Sequence, residues 1–142
     1  MTIPTQAEAD ALVAAPKIVT AHVTWRATDR YNYRLEARAM AVESGELFRL
    51  VGYVGRRNFS FVLLYQNYPI RKYTKHQQHF DTKTGKLIKV PHKHHWDAIK
   101  RDSEVFIPDD INPKDDINEQ FLAFCRECNI ELLGGYQAMT FL

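Results

Sequence analysis

The sequence predicts a single α+β domain over 1–142, with an antiparallel meander sheet of five to seven strands and an N-terminal and a C-terminal helix packed on one face. Three observations lead to this fold class. The length of 142 residues suits one hydrophobic core. A composition of 45% hydrophobic and 25% charged residues is that of a globular protein and excludes disordered, collagen-like and low-complexity chains. Long segments alternate apolar and polar residues, and antiparallel strands of that pattern need only one covered face.

The first element is a helix within 1–16. Thr5 and Glu8 have the spacing of a capping box, in which each side chain can bond to the backbone amide of the other residue. Pro16 disfavours helical backbone at the residue before it, so we expect the helix to end there. This N-terminal helix is followed by the predicted sheet over 17–96.

Period-two alternation predicts strands over 17–26 and 31–44, and apolar runs predict two more over 47–54 and 59–66. In the first strand, His22 lies on the polar side and is interpreted as structural. In the second, the polar side carries Arg34, Glu36 and Arg38. The last two strands, 70–80 and 87–96, flank a predicted tight turn over 81–86, since this stretch begins with Asp and ends in Gly-Lys.

The chain ends with a predicted acidic loop over 97–115 and a C-terminal helix with a final segment over 116–142. Asp116 and Glu119 form a second capping pattern. The helical spacing of the apolar residues predicts a buried stripe, which consists of Ile117, Phe121, Phe124, Cys125 and Cys128. Cys125 is expected in the core and Cys128 at its periphery, Asn129 at the end of the helix, and 136–142 as a last strand or short helix.

The net charge of +2 conceals two segments of opposite charge. Residues 71–101 contain nine Lys and Arg against two Asp, whereas 102–119 contain seven acidic residues against one Lys. The basic segment could bind phosphate, or the two segments could simply neutralise each other at the surface. No apolar run long enough to span a membrane and no signal-peptide pattern is found, so we expect a cytoplasmic protein without membrane contact. Two cysteines, spaced CxxC, exclude a disulfide scaffold and a four-thiolate zinc site.

The histidine-rich hairpin over 71–96 is the candidate site. Metal-free RNA cleavage needs a base, an acid and a cation near the reacting phosphate, and histidine can serve as either base or acid near neutral pH. The candidate catalytic residues are His92, His94 and Lys75. Tyr73, Tyr65 or Trp96 could stack an unpaired base. The candidate substrate-binding residues are Arg71, Tyr73, His76, Lys93, His95 and Trp96.

Two registers of this hairpin remain open. A four-residue turn pairs Tyr73 with His94 and Lys75 with His92, whereas a three-residue turn with a bulge pairs His76 with His92 and Thr74 with His94. Either register clusters histidines with cations and hydroxyl groups.

Three other interpretations of the hairpin compete with catalysis. Its histidines at alternate positions could ligate a transition metal, although our prediction assigns neither a metal nor a cofactor. The hairpin could instead be an ordinary solvated surface. It could also bind RNA, another nucleic acid or an acidic protein without catalysis.

Two segments, Ile88–His94 and Phe121–Ile130, resemble an uncharacterised family of prophage and mobile-element proteins that is similar to the TumE-like toxins of toxin–antitoxin systems. The resemblance covers roughly 31–142 and implies a ribonuclease toxin neutralised by a cognate antitoxin, with Pro91, His92 and His94 as the matching positions. The chain departs from the family pattern at His95 and Trp96 and in its extended acidic loop. The alternative is a non-enzymatic prophage protein that binds a host defence protein or a nucleic acid. The sequence does not indicate an oligomeric state.

Overall fold

A computed structural model describes residues 3–55, 58–75, 79–80, 87–88, 92–97, 102–106 and 116–139, with side-chain environments for 3–55, 58–74 and 116–139. In these ranges two helices, α1 (Gln6–Ala14) and α2 (Ile117–Glu127), accompany eleven strands. The strands are β1 (Lys17–Val19), β2 (Arg26–Ala27), β3 (Tyr33–Ala41), β4 (Leu47–Val54), β5 (Phe59–Tyr65), β6 (Tyr68–Lys75), β7 (His79–Phe80), β8 (Leu87–Ile88), β9 (His92–Asp97), β10 (Asp102–Phe106) and β11 (Ile130–Leu132).

One sheet has the strand order β10-β9-β6-β5-β4-β3-β1-β11, and β2 also pairs with β3. All its pairings are antiparallel except the parallel pair of β1 and β11. A separate ladder joins β7 to β8. The predicted α+β class is therefore confirmed. Among the described residues, the six strands of at least five residues (β3, β4, β5, β6, β9 and β10) agree with the predicted number, and the others are two or three residues long.

The core lies between the two helices and one face of the sheet. Alternation along β3 buries Leu35, Ala37, Ala39 and Ala41, and leaves the residues between them exposed. The buried residues of α1 and α2 belong to the same hydrophobic cluster. Both helices therefore cover this face, and the opposite face, which we call the open face, carries the polar side of β3 and β4.

Both predicted helix starts are confirmed. Thr5 accepts a hydrogen bond from the Glu8 amide at 3.1 Å, and Asp116 accepts one from the Glu119 amide at 2.9 Å. Side-chain acceptors at this position satisfy amides that have no partner within the helix. Asn129, with φ of 57°, ends α2 in the left-handed conformation that is frequent after a helix.

A buried lysine joins the ends of the two helices. Lys17 is 1% exposed, and its ammonium donates to the carbonyl oxygens of Val13, Ala15 and Cys128 at 2.8, 2.7 and 2.8 Å. These carbonyls lie at the C-terminal ends of α1 and α2, where the helix dipoles favour a cation. Burial lowers the pKa of Lys17 to about 8. The period-two pattern alone gave no sign of this contact.

Four expectations about individual segments are wrong. The strand predicted over 17–26 divides into β1, a bridge from Val23 to Tyr136, and β2. The last strand is β11, directly after α2, whereas 136–139 form neither a strand nor a helix. Asp102–Phe106, assigned to the acidic loop, forms β10 beside β9. Cys128 is completely buried and not peripheral, because it lies where α2 meets Lys17.

No helix within the described ranges is long and apolar enough to span a membrane.

Candidate functional site

The ladder between β6 and β9 sets the positions of the candidate histidines. Thr74 pairs with His92, and Lys72 pairs with His94. Both predicted registers are therefore wrong for this ladder. The outer ladder pairs His79 with Ile88, as the predicted four-residue turn requires, but the two ladders differ by one residue. The residues of the turn do not reveal an offset of one residue between the two ladders. This offset changes every residue pair of the β6–β9 ladder.

The structure describes the backbone, but not the side chains, of most candidate residues. The backbones of His92, His94 and Lys75 are described on β9 and β6, but their side chains fall outside the described part. The same holds for three candidate substrate-binding residues, namely Lys93, His95 and Trp96. His76 lies wholly outside the described residues, as does the turn over 81–86. The convergence of these side chains on one phosphate therefore stays a prediction.

Tyr73 does not have the predicted base-stacking role, because it is 0% exposed. Its hydroxyl donates to Gln120 on α2 at 3.1 Å, and its ring packs beside Phe61 at 6.0 Å. Tyr65 is also occupied, since its half-buried ring packs on Phe48 at 5.4 Å. The rings of Tyr73 and Tyr65 thus pack in or against the core.

Arg71 also differs from its predicted role in phosphate binding. Its Nη1 donates to Oε1 of Glu127 on α2 at 2.5 Å, and the two side chains are 12% and 14% exposed. Breaking an ion pair with so little solvent exposure costs several kcal/mol, because the loss of one partner leaves the other charge buried and uncompensated. Arg71 therefore fastens α2 to β6 and is not available to a substrate.

The open face carries a second group of charges, which we call the arginine face. It consists of Arg26, Arg34, Arg38, Arg49 and Glu36. Glu36 accepts from Arg49 Nε at 2.9 Å and pairs with Arg49 Nη2 at 2.8 Å and Arg34 Nη2 at 3.4 Å. The hydrogen bond from Arg49 holds the pKa of Glu36 below its ordinary value. With four guanidinium groups against one carboxylate, the arginine face is cationic.

The cross-strand register of the arginine face places like charges side by side. Arg26 pairs directly with Arg34, and Arg38 pairs directly with Arg49. Like charges at directly opposed positions destabilise a sheet. Within the described part of the chain, the side chains of Arg26 and Arg38 make no hydrogen bond or ion pair.

A groove of about 400 Å³ opens beside β2 and β3. Its polar lining combines cations, hydroxyl groups and one carboxylate, contributed by His22, Thr24, Arg26, Thr28, Arg34 and Glu36. His22 is exposed, with Nδ1 3.1 Å from the Gly134 carbonyl oxygen. It shares the groove with three charged residues, Arg26, Arg34 and Glu36.

Sequence reasoning missed this group although it assigned Arg34, Glu36 and Arg38 correctly to the polar side of a strand. The missing information was the register of the strands. Arg26 and Arg49 lie beside β3 only because β2 and β4 each pair with β3. Two arginines on the polar side of one strand, Arg34 and Arg38, with Glu36 between them on that side, were the available signal.

Comparison with known protein families, with curated proteins and with solved structures found no match. Within the described ranges, no three His, Cys, Asp or Glu side chains are grouped as a metal site would require. The side chains of the histidine tract over 92–95 lie outside the described part of the chain.

Proposed function

We propose that the protein is a small, metal-independent endoribonuclease of toxin type, with His92 and His94 as its acid and base. The observation that supports it is the β6–β9 register. His92 and His94 occupy alternate positions of one strand, and His94 pairs with Lys72. Alternate positions on a strand share a face, so this register brings two imidazoles and a lysine to neighbouring positions.

The proposed reaction is transesterification of RNA. One histidine takes the proton of the ribose 2′-hydroxyl while the 2′-oxygen attacks phosphorus, and the bond from phosphorus to the 5′-oxygen breaks. The other histidine donates a proton to the departing 5′-oxygen, so the products are a 2′,3′-cyclic phosphate and a 5′-hydroxyl. Lys72, which pairs with His94, stabilises the charge on the phosphorane, whereas Lys75 falls on the same alternating set of positions as Arg71 and Tyr73.

The test is cleavage of end-labelled RNA in EDTA by the wild type and by His92→Ala and His94→Ala. General acid–base catalysis contributes about 10²- to 10⁴-fold, so each variant should lose at least about a hundredfold in rate. His79→Ala, a histidine on β7 outside the candidate set, is the matched control and should cleave normally.

RNA with a single 2′-deoxy nucleotide at the cleavage position should resist cleavage, because the attacking oxygen is absent. Full activity of both His→Ala variants, or cleavage of the deoxy substrate, would contradict the mechanism. Induced expression in bacteria should arrest growth with the wild type and not with the variants. Growth arrest that an antitoxin encoded beside this protein relieves would support the toxin assignment.

A second candidate is a non-enzymatic protein that binds a host defence protein. The position of β10 favours it, since β10 ends the strand order of the described sheet and carries Asp102 and Glu104. An edge strand offers backbone groups to a partner strand. Two results would favour this function. RNA should stay intact in the presence of the protein, and a host protein should bind stably to the wild type but not to Val105→Pro, which blocks the β10 backbone.

A further inference from the structure

We propose that the arginine face and its groove bind single-stranded RNA through the phosphate backbone, at a site separate from the histidines of β9. The inference does not depend on catalysis. It rests on unbalanced charge, on the chemistry of the groove lining and on an aromatic ring beside the arginines.

The first argument is electrostatic. Two pairs of arginines face each other directly across the β2–β3 and β3–β4 ladders, and Glu36 neutralises only part of their charge. Repulsion between paired guanidinium groups is relieved when an anion lies between them. The residues without an internal partner, Arg26 and Arg38, remain available to contact such an anion.

The second argument is the shape and lining of the groove. A volume of about 400 Å³ lies in the range of small-ligand sites and suits one nucleotide. Guanidinium groups bind phosphate with two parallel hydrogen bonds, and the hydroxyls of Thr24 and Thr28 can donate to phosphate oxygens. This mixture is typical of contacts to a nucleic-acid backbone.

The third argument distinguishes RNA from an acidic peptide. Tyr53 pairs with Arg34 across the β3–β4 ladder, and its hydroxyl donates to Asn32 Oδ1 at 2.7 Å. Its ring is partly exposed next to the cations. Single-stranded nucleic acids are held by a cationic surface with aromatic rings on which bases stack, whereas an acidic peptide needs no such ring.

The register also separates this site from the candidate histidines. Arg34, Tyr53, Ser60, Thr74 and His92 follow one another across five neighbouring strands. Four strand spacings correspond to roughly 19 Å. Thr74 is buried, so the open face is covered at this point of the row. Binding at the arginine face and chemistry at β9 should therefore respond to different substitutions.

The test is fluorescence anisotropy of a labelled twelve-nucleotide 2′-O-methyl RNA, which binds but cannot undergo transesterification. In the double variant Arg26→Gln with Arg38→Gln, two phosphate contacts are lost. Each contact contributes about 0.7 to the slope of log affinity against log salt, so affinity should fall about 25-fold at 0.1 M salt and the slope by about 1.4. Arg126→Gln, an exposed arginine on α2, is the matched control and should bind normally.

Tyr53 gives the second readout. Tyr53→Leu should weaken RNA binding at least about fivefold, as one lost stacking contact requires, whereas Tyr53→Phe should retain it. Unchanged affinity and salt slope in the double arginine variant would overturn the proposal. Equal competition by oligoglutamate of the same charge would also overturn it, in favour of an acidic polypeptide. This assay measures binding of an RNA that cannot be cleaved, whereas the ribonuclease assay measures cleavage, so failure of one and failure of the other are distinguishable.

Discussion

Replacement of Lys17 by Met should destabilise the protein by about 2 kcal/mol. The substitution removes three donated hydrogen bonds and leaves two buried carbonyl oxygens and one partly buried one unsatisfied, which at about 2 kcal/mol for each buried oxygen and about 1 kcal/mol for the other costs about 5 kcal/mol. It also removes the cost of burying an ammonium. The decrease in the pKa of Lys17 from 10.5 to about 8 corresponds to about 3 kcal/mol. The difference between these two free energies is the expected loss of stability. No packing loss is added, since Met fills a similar volume and keeps contact with the Phe48 ring, whose centroid lies 5.1 Å from the ammonium in the wild type.

The assay is urea unfolding at pH 7, followed by the fluorescence of Trp25, which packs between core rings. Lys72→Met, a partly exposed lysine on the open side of β6, is the control and should change stability by less than about 0.5 kcal/mol. A loss below that value for Lys17→Met would refute the role of Lys17 in joining the two helices.

The same pair of proteins has a predicted pH dependence. The pKa of Lys17 is lower in the folded than in the unfolded chain. Between about pH 8 and 10.5 the unfolded chain therefore binds more protons, and the contribution of Lys17 to stability rises with pH. The stability difference between wild type and Lys17→Met should widen over this interval. The other titrating groups are the same in both proteins, so their contributions cancel. A stability difference that stays constant or narrows with pH would contradict the lowered pKa of Lys17.

Three further predictions concern the core and the caps. Gly52→Ala should cost about 1–3 kcal/mol in urea unfolding, because the new Cβ would lie 2.6 Å from the Trp25 ring, whose indole donates to Tyr136 at 2.7 Å; an unchanged midpoint would show that the ring moves freely. Burial raises the pKa of the Cys125 thiol, so its reaction with a disulfide reagent should be slower in the native than in the unfolded protein by a factor on the order of a thousand, and fast native labelling would contradict its burial. Asp116→Ala should cost about 1 kcal/mol, and Asp116→Asn much less, since Asn retains the capping acceptor.

The features that the sequence predicted correctly are local. Capping patterns place Thr5 and Asp116 at helix starts because the side chain and the amide it accepts from are three residues apart. Alternation along β3 predicts its buried face for the same reason, since successive side chains point to opposite faces. Each of these inferences uses only neighbours along the chain.

The features that the sequence could not predict depend on contacts between distant segments. β11 has three residues and pairs in parallel with β1, more than a hundred positions earlier, so no periodicity identifies it. In the candidate site, alternation correctly groups Arg71 with Tyr73, but it cannot show that α2 covers their face. The one-residue offset between the two ladders likewise depends on how the strands pair, which turn chemistry at one end does not determine.

The covering of one sheet face by both helices restricts where a ligand can reach the sheet. Tyr73 and Arg71 lie under α2, so they can contribute to stability but not to recognition. Any large anion that contacts β3 and β4 must approach the open face, where Arg38 and Arg49 stand directly opposite each other. Repulsion between these paired arginines destabilises the sheet, whereas opposite charges at the same positions would stabilise it. Solubility alone therefore does not explain this arrangement. Glu36 offsets part of this repulsion, a bound anion would offset more of it, and a phosphate chain supplies the closely spaced charges that such a row of guanidinium groups can bind.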